Sequence, residues 1–128
     1  MLKYTYAKKE RLAKRKSIEN VFQQGNTFNV FPIKFKWRSI SISTNEQTEV
    51  GVAVSAKMFK RAVDRNLLKR RMREAYRLNK SELCDLFPSE IAVHIMMIYM
   101  AKDHKPYAEI EKAVQKGLKT VSKLKVKS

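Results

Sequence analysis

A mixed α/β domain with elements in the order α-β-β-α-β-α is what three features of the sequence predict. Phe31, Ile33, Phe35 and Trp37 alternate with Lys34, Lys36 and Arg38, the period of a half-buried strand. Residues 62 to about 79 and 107 to 121 carry apolar side chains at helical spacing, as amphipathic helices do. EIAVHIMMIYMA, from 90 to 101, is apolar without alternation, which suits a central strand covered on both faces.

Each element has its own justification. Residues 1–16 hold seven basic residues and one acid and read as a basic arm with little reason to fold alone. Ser17 is placed to cap a helix running to Gln24, with Gly25 as its stop. Ile18, Val21 and Phe22 sit at helical spacing within it, and Leu12 is positioned to pack against them. In the first strand the apolar parity switches after Trp37 to Ile40 and Ile42, which predicts a bulge near 38–40. TNEQT (44–48) reads as a turn, and EVGVAVS (49–55) as a second strand forming a hairpin with the first. Pro106 suits the first position of the last helix, and Glu109 and Glu111 suit its positive N-terminus. Tyr107, Ile110, Val114, Leu118 and Val121 make that helix's apolar stripe.

The chain has 128 residues, room for one core, and its 44% hydrophobic content is enough to fold. The expectation is one domain over 1–128, with a lysine-rich tail fraying from about 122 to 128. A formal net charge of +16 repels itself in any compact state, so a polyanionic partner is implied. One cysteine, Cys84, excludes an intrachain disulfide and fits a reducing compartment. No secretory signal and no 18-residue apolar span is visible. A soluble, cytoplasmic protein with no membrane partner is expected.

The charge concentrates in KMFKRAVDRNLLKRRMREAYRLNK, residues 57–80, where ten Lys or Arg face two acids, Asp64 and Glu74. On a helical wheel Leu68, Met72 and Ala75 share a core face. Asn66, Lys69, Arg70, Arg73 and Arg77 lie well away from it, and Arg65 sits at the border. Arg65, Lys69, Arg73 and Arg77 follow one another at i,i+4, each like-charge pair costing a few tenths of a kcal/mol. Phosphates relieve that cost by counterion release on contact with Lys and Arg. Without a helix-turn-helix, zinc spacing or zipper, RNA fits better than DNA. On this pattern Arg65→Ala with Asn66→Ala is expected to weaken RNA binding and leave thermal stability nearly unchanged.

No catalytic residues are expected. The twelve acids are scattered, where a metal nuclease gathers them. Glu109 and Glu111 point different ways on a helix, and Glu82 and Asp85 stand as a pair near a loop. His94 lies in an apolar strand and reads as a satisfied core residue, while His104 has no obvious partner and Cys84 reads as a buried small hydrophobe. Charge and build alone fit a structural RNA-binding protein, such as a ribosomal protein, equally well.

RAVDRNLLKRRMRE resembles the signature of the bacterial ribonuclease P protein subunit, an Arg-Asn-Arg motif followed by Lys-Arg and then Arg-Glu. Arg65, Asn66, Lys69, Arg70, Arg73 and Glu74 match in place. RLAKRKSIENVFQQG resembles the family's N-terminal Arg-Leu and first helix, and VGVAVSAK its second strand entering a basic loop. Two departures stand out: Leu67 replaces the motif's second Arg, and Ile18 holds a position frequently occupied by Phe.

The resemblance implies a two-layer α/β sandwich with a left-handed βαβ crossover. It also implies a protein cofactor of a catalytic RNA that removes 5′ leaders from precursor tRNA. The RNA and its Mg²⁺ ions would supply the hydrolysis, with no organic cofactor and no obligate protein partner. The RNA-facing residues would be Arg65, Asn66, Lys69, Arg70 and Arg73, joined by Lys57, Lys60 and Arg61 from the preceding basic loop. The single-stranded leader would run between the first helix, at Ile18 and Phe22, and the sheet, where pattern selects Lys34 and Lys36. Grooves of this kind hold single strands through charge and stacking.

Overall fold

The computed structural model describes residues 15–41, 49–79 and 91–127. Most of the basic arm, Leu12, the 44–48 turn, Glu82, Cys84 and Asp85 lie outside them. The elements are α1 (Arg15–Gln24), β1 (Asn26–Val30), β2 (Ile33–Ser41), β3 (Glu49–Val54), α2 (Ala62–Asn79), β4 (Ile91–Tyr99) and α3 (Tyr107–Lys127).

The four strands form one sheet in the order β1-β2-β4-β3. β4 is the central strand that its unbroken apolar run predicts, antiparallel to β2 and parallel to β3. The hairpin expected between β2 and β3 does not form. β2 instead matches β4 along its whole length, from Ile33 opposite Tyr99 to Ser41 opposite Ile91. β3 reaches its parallel partner through α2, the crossover that parallel pairing requires. Register continues without interruption past Arg38, Ser39 and Ile40, so there is no bulge. β1 was not expected at all. NTFNV carries two asparagines and only two apolar residues, yet it pairs antiparallel with β2, and Phe28 stacks on Phe35 at 5.1 Å between ring centroids.

The two faces of the sheet have different fates. Ile33, Phe35 and Trp37 of β2 and Val93, Ile95, Met97 and Tyr99 of β4 are buried on one face, under α2 and α3. Leu68, Met72 and Ala75 meet them from α2, as the wheel predicts, together with Tyr76. Ile110, Val114, Leu118 and Val121 do so from α3. Among the described residues, the opposite face is covered by α1, where buried Val21 packs on Met96 with Ile18 and Ala53 at the margin. His94 lies on this face, 3% exposed, with Nε2 3.9 Å from the Glu49 carboxylate.

Chain direction is fixed by local chemistry. α1 begins at Arg15, ahead of Ser17. Gly25 does end the helix, but without the left-handed backbone usual for such a stop. Its amide donates to the Val21 carbonyl at 2.9 Å, and a Cβ there would strike the carbonyls of Val21 and Trp37. Close approach, not φ, demands the glycine. At the other end the Pro106 carbonyl accepts from the amides of Glu109 and Ile110, placing Pro106 just before α3. That helix spans Tyr107–Lys127, and Leu118 and Val121 continue its buried stripe. The 100–106 loop is pinned by the Tyr99 hydroxyl, which donates to the Asp103 carbonyl (2.6 Å) and accepts from the Lys105 amide (2.8 Å). Burial pushes that phenol's pKa up.

Candidate nucleic-acid interface

Two basic surfaces emerge from this architecture, one on each side of the sheet. The first is the side of α2 turned away from the core. Because Leu68, Met72, Ala75 and Tyr76 are committed inward, helical geometry leaves Asn66, Arg70 and Arg73 exposed, with Lys69 half-buried at their edge. Among the described residues, no acid lies within ion-pair distance of Lys69, Arg70 or Arg73. Arg61, Val63, Asp64, Asn66, Leu67 and Arg70 border an open depression of about 420 Å³ on this side. Lys57, Lys60 and Arg61 are exposed on the loop leading into the helix and extend the same surface.

The acids of this region serve the ends of the helix. Asp64 lies 3.8 Å from Arg61 and 3.4 Å from His104. Glu74 hydrogen-bonds Arg77, which holds its carboxyl below the usual range. Arg77 is thereby partly neutralised, and the unopposed charge narrows to the middle of the helix.

Arg65 differs from its neighbours. Its Nη1 donates to the carbonyls of Phe59 (2.7 Å) and Lys60 (2.9 Å), tying the incoming loop to the first turn. A structural share of its role therefore accompanies any contact with RNA. Arg65→Ala should lower stability by about 1–2 kcal/mol, since hydrogen bonds from a charged donor are lost. Asn66→Ala, fully at the surface, should not. Separate thermal melts of the two variants decide it: equal melting temperatures would show that the loop does not depend on Arg65.

The second surface is the open part of the sheet beside α1. Strand alternation places Lys34, Lys36 and Arg38 on the side away from the main core. Their neighbours across the strands are Asn29 and Ile98, Thr27 and Met96, and His94. Lys36 Nζ sits 5.4 Å from the Phe22 ring centroid and 3.5 Å from Thr27 Oγ1. Phe22 is 42% exposed; it and those cations would be the wall and floor of the cleft that the resemblance implies between α1 and the sheet. Ile18, by contrast, is half-buried against the Val21–Met96 contact, so it supports the wall more than it lines the opening.

Sequence reasoning missed three floor residues. Arg38 extends the Lys34–Lys36 alternation, but the anticipated bulge obscured it. Thr27 and Asn29 were hidden because the segment carrying them did not read as a strand. The chemistry offered is electrostatic and aromatic. Among the described residues, no three His, Cys, Asp or Glu side chains gather as a metal site.

A family model described as Ribonuclease P matches residues 6–122. The chain is similar to the ribonuclease P protein component of Porphyromonas gingivalis, 37% identical over 113 residues, covering 88% of this chain and 82% of the relative. It is also 37% identical over 82 residues to the Petrotoga mobilis counterpart, across 60% and 62% of the two chains. Among solved structures, the RNase P protein of Staphylococcus aureus superposes with a TM-score of 0.61 at 23% identity, over 91% of this chain and 94% of that one. The Thermotoga maritima protein gives 0.63 at 21% identity, over 87% and 96%.

Proposed function

This chain belongs to the ribonuclease P protein family, whose setting is the maturation of tRNA 5′ ends, and from that premise we propose that it is the protein cofactor of a catalytic RNA. In this reading α2 docks on the RNA subunit through Asn66, Lys69, Arg70 and Arg73, with Lys57, Lys60, Arg61 and the free edge of Arg65 alongside. The cleft holds the single-stranded 5′ leader of precursor tRNA. Phosphates lie against Lys34, Lys36 and Arg38, and a base stacks on Phe22. Contacts of this type bind with little sequence preference, as a leader of variable sequence requires.

The observation that carries the reading is the unopposed charge of α2. Lys69 and Arg73 stand at i,i+4 with Arg70 between them, an arrangement that costs stability in the free protein and is relieved by phosphate. Hydrolysis is assigned to the RNA and its Mg²⁺ ions, and the polypeptide contributes binding and placement. No helix among the described residues is long and apolar enough to cross a membrane, and the cytoplasm, where tRNA is processed, is the proposed location.

The test is cleavage of a precursor tRNA by a bacterial ribonuclease P RNA at low Mg²⁺, with and without this protein. Restored, accurate 5′ cleavage is the expected result. Binding to RNA with cleavage unchanged would point instead to a structural RNA-binding protein.

A further inference from the structure

We propose that the corner at the β1–β2 turn is a second contact for single-stranded RNA, occupied by the continuation of the strand that lies in the cleft. The proposal rests on the RNA-binding reading above and extends it to a face that reading leaves unused.

Phe31 carries the inference. It sits in the turn between β1 and β2 with 70% of its surface exposed. Lys105 Nζ lies 5.7 Å from its ring centroid. Beside it is a depression of about 360 Å³, bordered by Val30, Lys105, Lys112, Ala113 and Lys116. Lys112 and Lys116 are exposed one turn apart on α3, a separation of about 5–6 Å at Cβ, within reach of neighbouring phosphates. Two acids are close: Glu109 borders the depression, and Asp103 lies 3.4 Å from Lys105 Nζ. Lys112 and Lys116 have no such partner among the described residues.

An exposed aromatic ring with a lysine ammonium over one face is the same pairing that Phe22 and Lys36 make beside α1, where the distance is 5.4 Å. The two sites are joined by the strand itself. Arg38, Lys36 and Lys34 step along β2 toward its N-terminal end, and that end is the turn bearing Phe31. From Lys36 to Pro32 is about 13 Å along the strand. A single strand that follows the cations of the cleft arrives at the turn and meets Phe31 next, with Lys112 and Lys116 beyond it. The occupant is an unpaired nucleotide stacked on Phe31, its phosphates against α3.

Length dependence exposes the second contact. Oligouridylates of about 4 and about 10 nucleotides, a range typical of single-strand sites, would be titrated against the whole protein by fluorescence anisotropy. Wild type should bind the longer oligomer about tenfold more tightly than the shorter. Phe31→Leu, and separately Lys112→Gln with Lys116→Gln, should lose most of that gain, bind the short oligomer as wild type does, and melt at the wild-type temperature. If both variants keep the full gain with length, the corner is not a contact and the proposal falls while the cleft reading stands. If the wild type binds neither oligomer, the cleft reading falls with it.

Discussion

Gly117→Val should lower the melting temperature by about 10 °C. Gly117 lies on α3 against the ring of Phe35, and a Cβ placed there would overlap three of its ring carbons. Valine is the better helix former, worth a few tenths of a kcal/mol. Overfilling a closed core costs about 1–3 kcal/mol, so the clash wins. The ring has little room to retreat. Phe35 is fully buried, and Phe28 stacks on its face. About 4 °C per kcal/mol for a domain of this size converts the upper part of that cost into the stated shift. Phe35→Leu in the same chain should recover part of the loss, because it removes the atoms that collide. A double variant no more stable than Gly117→Val alone would place the strain elsewhere.

Replacing Lys69, Arg70 and Arg73 together by Gln should weaken binding to the catalytic RNA by about 10²-fold near physiological salt. If each contacts one phosphate, the log–log salt slope should shrink by about 2.7, and the loss at 0.2 M follows from that slope. Stability should hold or rise slightly, since the Lys69–Arg73 repulsion disappears. Filter binding across a salt series, with a thermal melt of the same variant, measures both quantities. An unchanged slope would remove the phosphate contacts from α2.

The helices and their inward faces were legible because their cause is local. The period of Leu68, Met72 and Ala75 is written in adjacent turns, and the basic face is its complement. Strand pairing was not legible, since β3 could meet β2 next to it in sequence or β4 some forty residues on, and nearness favours the wrong choice. β4 wins because its apolar run needs a strand on each side. Arg65 was legible as a cation but not as a tether, for its partners are backbone carbonyls, which no side-chain pattern reveals. The corner at Phe31 escaped notice for a similar reason. Its residues come from a turn, a loop and a helix that only the closed sheet brings together.

The place of β4 between β2 and β3 has a consequence for the order in which the molecule can come into being. A ribosome releases β1, β2 and β3 well before Ile91, yet β3 has no hydrogen-bonded neighbour until β4 arrives. Until then the valines of β3 and the inner face of α2 have no sheet to close upon, and ten basic residues lie on a segment without a finished scaffold. Folding must wait for a contact between distant parts of the chain, the kind that slows it. During that interval the nascent polypeptide is a strongly cationic chain that still lacks the central strand of its sheet.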